Sequence, residues 1–295
     1  MRRKNKRKIN PFYLFILPWI IGFILFTFGP LVYSLYVSFT KWNGVSAPEF
    51  IGIQNYVRMF TMDEKFWISL WKTFEFAVIS VALSLVLALF LAVLLNVKSR
   101  CSYVFRVIYF LPSIVSGVAI YLVWMYLYDA NIGFINYLLS LFGIEGKKWL
   151  LDPKMAMGSI IFMTLTFCGN QILIFIAGLQ GIPVSYYEAA KVDGAGALVT
   201  FFKITLPLLG PTVLFNLIMG IINGLQVFTQ PYVMTEGGPR NATYVFGIHI
   251  FNTAFKYNEF GYASSLAWVM FVIILSLSLL CLKSSQKWAY EGDKE

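Results

Sequence analysis

Tyr187-Glu188-Ala189-Ala190-Lys191-Val192-Asp193-Gly194-Ala195-Gly196, running on to Ile204-Thr205-Leu206-Pro207, is a polar, helix-forming insert between two long apolar segments. Glu, Ala and Lys favour a helix, Gly194 breaks it and Pro207 stops the next turn. Most of the chain around it is apolar. Of 295 residues, 59% are hydrophobic and 13% charged, with a mean hydropathy of +0.72, which leaves too little polar surface to cover a globule in water. The composition points to an all-α integral membrane protein that holds one small ordered helix in a loop.

Six stretches are apolar enough to span a bilayer and carry no Lys, Arg, Asp or Glu in their middle: about 12–39, 76–96, 107–128, 156–179, 207–230 and 263–282. They define a basic segment 1–11, a six-helix domain 12–282 and a tail 283–295. Six of the 23 basic residues lie in Arg2 to Lys8, before the first apolar run. That run is far longer than the core of a signal peptide and ends in no small-residue cleavage site, so it reads as a retained span. With the N-terminus inside, 14 basic and 5 acidic residues fall on the inner side, so the whole surplus of +9 faces inward. Both termini are expected inside, and 180–206 becomes an inner loop. Pro18 and Gly29-Pro30 should bend or interrupt span one. The small stripe Ser80, Ser84, Ala88 and Ala92 should let another helix approach span two closely. Trp124, Tyr126 and Tyr128 read as an interfacial aromatic belt.

Spans four and five hold amides but no charges. Cys168-Gly169-Asn170-Gln171 forms a polar patch in span four, and Asn216, Asn223, Gln226 and Gln230 punctuate span five. Asn223 and Gln226, three residues apart, share a helical face, as do Asn216 and Asn223, seven apart. Amides in hydrocarbon are costly unless paired or wetted. Converging on one stripe, they would line a neutral cavity suited to hydroxyl-rich ligands; the other reading is hydrogen bonding between helices.

Much chemistry is missing. There is no Walker A loop, so ATP is not expected to bind here in that way. No ionisable group sits deep in a span, which argues against an ion-coupled secondary transporter. The loop acids are scattered, giving no paired carboxylates for an enzyme, and no catalytic or metal residues are expected. The three cysteines are far apart, and the single histidine, His249, has no His or carboxylate cluster beside it in sequence. Asn241-Ala242-Thr243 matches a glycosylation pattern that short sequences produce by chance. Concentration of the positive charge before span one favours a membrane anchor over nucleic acid.

Glu188-Ala189-Ala190, three residues, Gly194, nine residues and Ile204-Thr205-Leu206-Pro207 resemble the EAA signature of permease subunits of binding-protein-dependent ABC importers, at its full spacing. Gly178-Leu179-Gln180-Gly181-Ile182-Pro183, Asp193-Gly194-Ala195, Gly237-Gly238-Pro239 and Gly261-Tyr262-Ala263-Ser264 are similar to carbohydrate-uptake permeases, in particular the maltose-transporter F-subunit type. The resemblance covers nearly the whole chain from span one onward, without the extra N-terminal spans and large outer insertion of the enterobacterial maltose subunit.

It implies a type I importer permease fold of about six helices in a prokaryotic cytoplasmic membrane. Glu188, Ala189, Ala190, Asp193, Gly194, Ile204, Leu206 and Pro207 would then form the coupling loop to the ATPase subunits. Asn170, Asn223 and Gln226 would face the sugar, and Asn216, on the same amide stripe, is the further candidate contact. The implied partners are a second permease subunit, two ATPase subunits that bind the ATP and Mg, an extracytoplasmic binding protein, lipid and a carbohydrate substrate; an ABC permease for another small solute is the alternative. Two mechanical expectations follow: a Cβ at Gly194 would obstruct the turn, and the loop would drive span five as a rigid lever.

Overall fold

The computed structural model describes residues 11–97 and 99–285; the basic segment 1–10, Lys98 and the tail beyond Ser285 lie outside them, and with them most of the charge behind the expected orientation. In chain order the elements are α1 (Pro11–Phe23), α2 (Gly29–Ser38), β1 (Thr40–Lys41), β2 (Glu49–Phe50), α3 (Gln54–Thr61), α4 (Glu64–Leu95), α5 (Arg100–Phe110), α6 (Gly117–Leu127), α7 (Phe134–Leu141), α8 (Ala156–Thr164), α9 (Gly169–Gln180), α10 (Val184–Val192), α11 (Ala197–Thr200), α12 (Leu206–Leu208), α13 (Gly210–Leu225), α14 (Thr229–Thr235), α15 (Phe246–Phe251) and α16 (Phe260–Ser285).

Three helices are long and apolar enough to cross a bilayer unaided: Phe15–Ser38, Glu64–Leu95 and Phe260–Ser285. Three more crossings are bent pairs, turning by 98° between Ser102–Ser113 and Gly117–Leu127, 48° between Ala156–Phe167 and Gly169–Gln180, and 66° between Ala197–Leu208 and Gly210–Leu225. The bends have local causes. Pro112 lies in a 3₁₀ turn at the first, and Pro207 and Pro211 flank the third, each lacking a backbone donor. At the second, Gly169 permits a backbone crossing: a Cβ there would lie 2.4 Å from the Tyr109 carbonyl oxygen. The spans expected over 107–128, 156–179 and 207–230 are each a broken helix. Gly29-Pro30, by contrast, does not interrupt span one. A π-turn at Ile24–Phe28 precedes it, closed by Gly29 N–H to Ile24 O, and Pro30 takes a first-turn position where no donor is needed.

The described residues form two compact units, one from 11–62 with 250–270 and one from 63–249, Lys98 excepted, with 271–285. In the first, β1 and β2 pair antiparallel, Thr40 opposite Phe50 and Lys41 opposite Glu49. Asn55 ties the hairpin to α2 through Nδ2 donations to the Ser38 and Thr40 carbonyls, both 2.9 Å. Gly261 lies so near Thr40 O that a Cβ would come within 2.0 Å of it.

In the second unit, α4 packs between α9 and α13. It begins at Glu64, twelve residues before the expected start of span two, because Asp63 caps it: Oδ1 accepts from the backbone of Lys65 and Phe66. Its 32 residues extend about 48 Å at 1.5 Å per residue, beyond a hydrocarbon core of about 30 Å. At the other end, Arg106 Nε and Nη2 donate to the Leu95 carbonyl at 3.2 and 2.6 Å, and Ser102 Oγ donates to the same oxygen. Gly220 and Gly224 of α13 press on Val81 and Ala77, where a Cβ would fall 2.9 and 3.2 Å from the nearest atom. The small stripe of α4 divides: Ala88 and Ala92 are buried against Ile172, Phe175 and Ile176 of α9, whereas Ser80 and Ser84 border a cavity.

The aromatic belt is corrected. Trp124 and Tyr128, one turn apart, turn inward to the core with Trp149, and Tyr128 OH donates to Ser159 O at 2.9 Å. Tyr126 alone of the three is exposed, being on the other face.

Candidate functional site

The insert at 184–208 folds as two helical pieces joined by a glycine turn. α10 starts after Pro183 and ends with Asp193 as C-cap. Gly194 has φ +72°; its N–H donates to Lys191 O at 3.1 Å and the Ala195 N–H to Ala190 O at 2.9 Å, the paired bonds of a Schellman cap. A Cβ on Gly194 would meet nothing within 4 Å. The glycine serves the left-handed backbone, not a lack of room, which corrects the expected obstruction.

Only Ala190 of the EAA triplet is buried; Glu188, Ala189, Asp193 and Gly194 are exposed. Beside them stand exposed apolar side chains: Val184, Val192 (87% accessible), Leu198 and Phe202. Downstream, Ile204 and Leu206 are partly buried and Pro207 exposed. Buried Thr205 ties back to α10, its Oγ1 3.3 Å from Tyr187 Oη. A cavity of about 450 Å³ lies between these pieces and the ends of α4 and α9, with Asn96, Leu179, Tyr187 and Lys191 in its wall.

The link from this loop to α13 is not a straight rod. Residues 197–208 are helical with a π-turn at Phe201–Thr205, and the chain then bends by 66° into α13. π-turns and proline breaks are the usual causes of such kinks. The loop is therefore joined to α13 through an elbow.

The second candidate site is a cavity of about 260 Å³ walled by α4, α9 and α13 with the start of α14. Asn170 and Gln171, Asn223, Gln230, Ser80 and Ser84 supply its polar groups, Phe76 and Phe167 its aromatic ones, and among the described residues no Lys, Arg, Asp or Glu lines it. Gln171 Oε1 is buried and has no hydrogen-bond partner among the described residues.

The structure thus brings Asn170 and Asn223 together and leaves two predicted residues apart. Asn216 is 1% exposed and absent from the lining; its Nδ2 donates one turn back to Thr212 O at 3.1 Å. Gln226 is exposed and stands at the C-cap of α13, outside the lining. Gln226 still donates its N–H to Ile222 O at 3.1 Å and closes the last turn of α13, but the lining at that end passes to Val227 and Gln230. Gln230, from the next helix, completes the wall with Gln171. Both belong to amide patches evident in the sequence, but their convergence depends on the helix ending.

His249 is buried and does have a carboxylate, brought from 186 residues away: Nε2 lies 2.9 Å from Asp63 Oδ2 and Nδ1 3.3 Å from Tyr244 Oη. Next to it, the Phe246 N–H donates to Thr73 Oγ1 at 2.7 Å. These contacts fasten the 244–249 segment to the first turns of α4. No group of three or more His, Cys, Asp or Glu residues positioned for a metal occurs among the described residues.

An EAA helix with a glycine-turn end and a helical bundle built from broken spans define a transporter permease subunit. The chain belongs to the family described as "Binding-protein-dependent transport system inner membrane component", whose profile matches residues 84–289. It is 43% identical over 287 residues to the probable ABC transporter permease protein YesP of Bacillus subtilis (strain 168), covering 96% of this chain and 93% of that one. It is 34% identical over 277 residues to the trehalose/maltose transport system permease protein MalF of Thermococcus litoralis, covering 92% of each. Its fold is that of a chain in the crystal structure of a bacterial alginate ABC transporter in complex with an alginate pentasaccharide-bound periplasmic protein. That match has a TM-score of 0.84, 21% identity and 96% of each chain covered.

Proposed function

We propose that this chain is one of two permease subunits of an ATP-driven importer that carries an uncharged sugar or oligosaccharide across a prokaryotic cytoplasmic membrane. The uncharged lining of the cavity, with Asn170, Gln171, Asn223 and Gln230 amides beside Phe76 and Phe167, carries this reading. Amides offer donor and acceptor in one group, as each sugar hydroxyl does, and the rings offer faces to C–H surfaces. The naming of the Thermococcus relative for trehalose and maltose supports the same class.

In this reading both termini and the 180–206 loop face the cytoplasm. An extracytoplasmic binding protein delivers the sugar. Two ATPase subunits, which bind the ATP and Mg, receive the exposed face of α10 at Glu188, Ala189 and Asp193. Their closure moves α10; Tyr187–Thr205 and the 66° elbow pass the motion to α13 and so to Asn223. Asn170, Asn223 and Gln171 hold the sugar; Gln226 and Asn216 act on helix ends and packing. The test is uptake by the complete transporter with its binding protein in proteoliposomes. ATP-dependent accumulation of a neutral oligosaccharide, with a uronic-acid oligosaccharide of equal length excluded, is expected; preference for the acidic one, or uptake driven by an ion gradient without ATP, would overturn the proposal.

A further inference from the structure

A second cavity, of about 530 Å³, lies in the other compact unit, between the β1–β2 hairpin, α3 and the start of α16. Its volume is within the range of small-molecule sites. Asn55 is in its wall and 6% exposed. Both Asn55 amide hydrogens are committed to backbone carbonyls, while its Oδ1 accepts no hydrogen bond among the described residues. A side chain more than nine-tenths buried thus leaves one unpartnered acceptor for whatever fills the cavity.

The charges around it are balanced. Arg58 Nη2 is 2.9 Å from Glu259 Oε2, and the guanidinium carbon lies 4.3 Å from the centre of the Tyr262 ring. Held on two sides, Arg58 keeps unused N–H donors and Glu259 an unused oxygen. Trp42 closes one side, its Nε1 fixed to Ser46 O at 2.7 Å, and Gln54 lines the same cavity with no side-chain hydrogen bond among the described residues.

An anion would match Arg58 but present no donor to Asn55 or Glu259. An ammonium group would match those two but meet Arg58 and Lys41. Vicinal hydroxyls satisfy all of them, since each O–H both donates and accepts, and the C–H face of a ring matches Trp42. We infer that this cavity is a second carbohydrate subsite that takes one glycosyl unit. The unit could come from the transported oligosaccharide or from a glycan-bearing lipid; the first source rests on the proposed function and places the subsite on the extracytoplasmic side.

The test uses the assembled transporter in nanodiscs without binding protein, with maltotriose and cellotriose as probes in saturation-transfer NMR, and native mass spectrometry for lipid. Asn223→Leu alone is expected to leave trisaccharide signal, and adding Gln54→Trp, which fills the rim, to reduce it at least tenfold. Val57→Trp, half-exposed on the same rim, gives the same reading if Gln54→Trp does not assemble. A glycan-bearing lipid lost on rim filling supports the glycosyl site with the lipid as source. Signal already abolished by Asn223→Leu, or unchanged by rim filling, overturns the subsite while leaving the proposed function intact. A sugar-free phospholipid displaced by rim filling also overturns it. Uptake unaffected by Asn223→Leu while rim filling abolishes the signal would overturn the cavity reading and leave the subsite standing.

Discussion

The coupling loop and the amide cavity are built on opposite principles. The loop is a backbone device: its form comes from a left-handed glycine and two hydrogen bonds, with Ala190 and Thr205 buried and Val192, Leu198 and Phe202 uncovered. The cavity is a side-chain device, formed where α4, α9 and α13 converge, with its polar atoms turned inward and one acceptor, Gln171 Oε1, unmet. Exposed apolar surface on a polar loop marks a protein partner, and an unmet buried acceptor marks a small polar guest. In the proposed function both sites are incomplete in this chain, the first finished by a protein and the second by a ligand.

The contrast can be broken by substitution. The cavity depends on distant tertiary pairs that hold α4, so His249→Ala should have the largest effect on stability. Removing the buried imidazole takes one hydrogen bond from Asp63 Oδ2, a loss of about 1–3 kcal/mol, and opens a void besides, visible as a clear fall in Tm of the purified complex, with Asp63→Asn/His249→Gln recovering part of it. Gly169→Val and Gly194→Val are the same substitution with opposite consequences. At Gly169 the side chain meets the Tyr109 carbonyl, and overpacking of about 1–3 kcal/mol or more should lower the yield of assembled complex. At Gly194 there is room but the wrong φ, a strain of about 1–2 kcal/mol, so assembly should persist while sugar uptake falls at least tenfold against retained ATPase activity. Asn223→Leu should raise the half-saturating sugar concentration about tenfold, equivalent to about 1.4 kcal/mol, with assembly unchanged. Gln226→Ala, outside the lining, should change uptake by less than about twofold if the binding loss at Asn223 is set at about 1.4 kcal/mol per tenfold.

The loop was legible in the sequence because its determinants are local: helix formers, a glycine and a proline within one contiguous stretch. The amide cavity was legible in kind and only partly in membership. Asn170 and Asn223 share the lining, but Gln226 and Asn216 do not, because helical periodicity says which residues share a face and not where along that face a cavity opens, and Asn216 bonds the backbone of its own helix. The bends at Cys168 and Leu209 escaped for a related reason, since hydropathy reads through a break that keeps its apolar character. His249 looked isolated because its carboxylate, Asp63, is remote in sequence and serves also as a helix cap. Trp124 and Tyr128 looked interfacial by type, and only packing against Trp149 and Ser159 shows them to be core.

The most direct test measures two quantities in the same proteoliposomes: sugar molecules imported per ATP hydrolysed, and the sugar concentration giving half-maximal uptake. Gly194→Val should lower the first and leave the second within about twofold, while Asn223→Leu should raise the second about tenfold and leave the first unchanged. If both variants shift both quantities together, the loop and the cavity are not separate devices and the account fails.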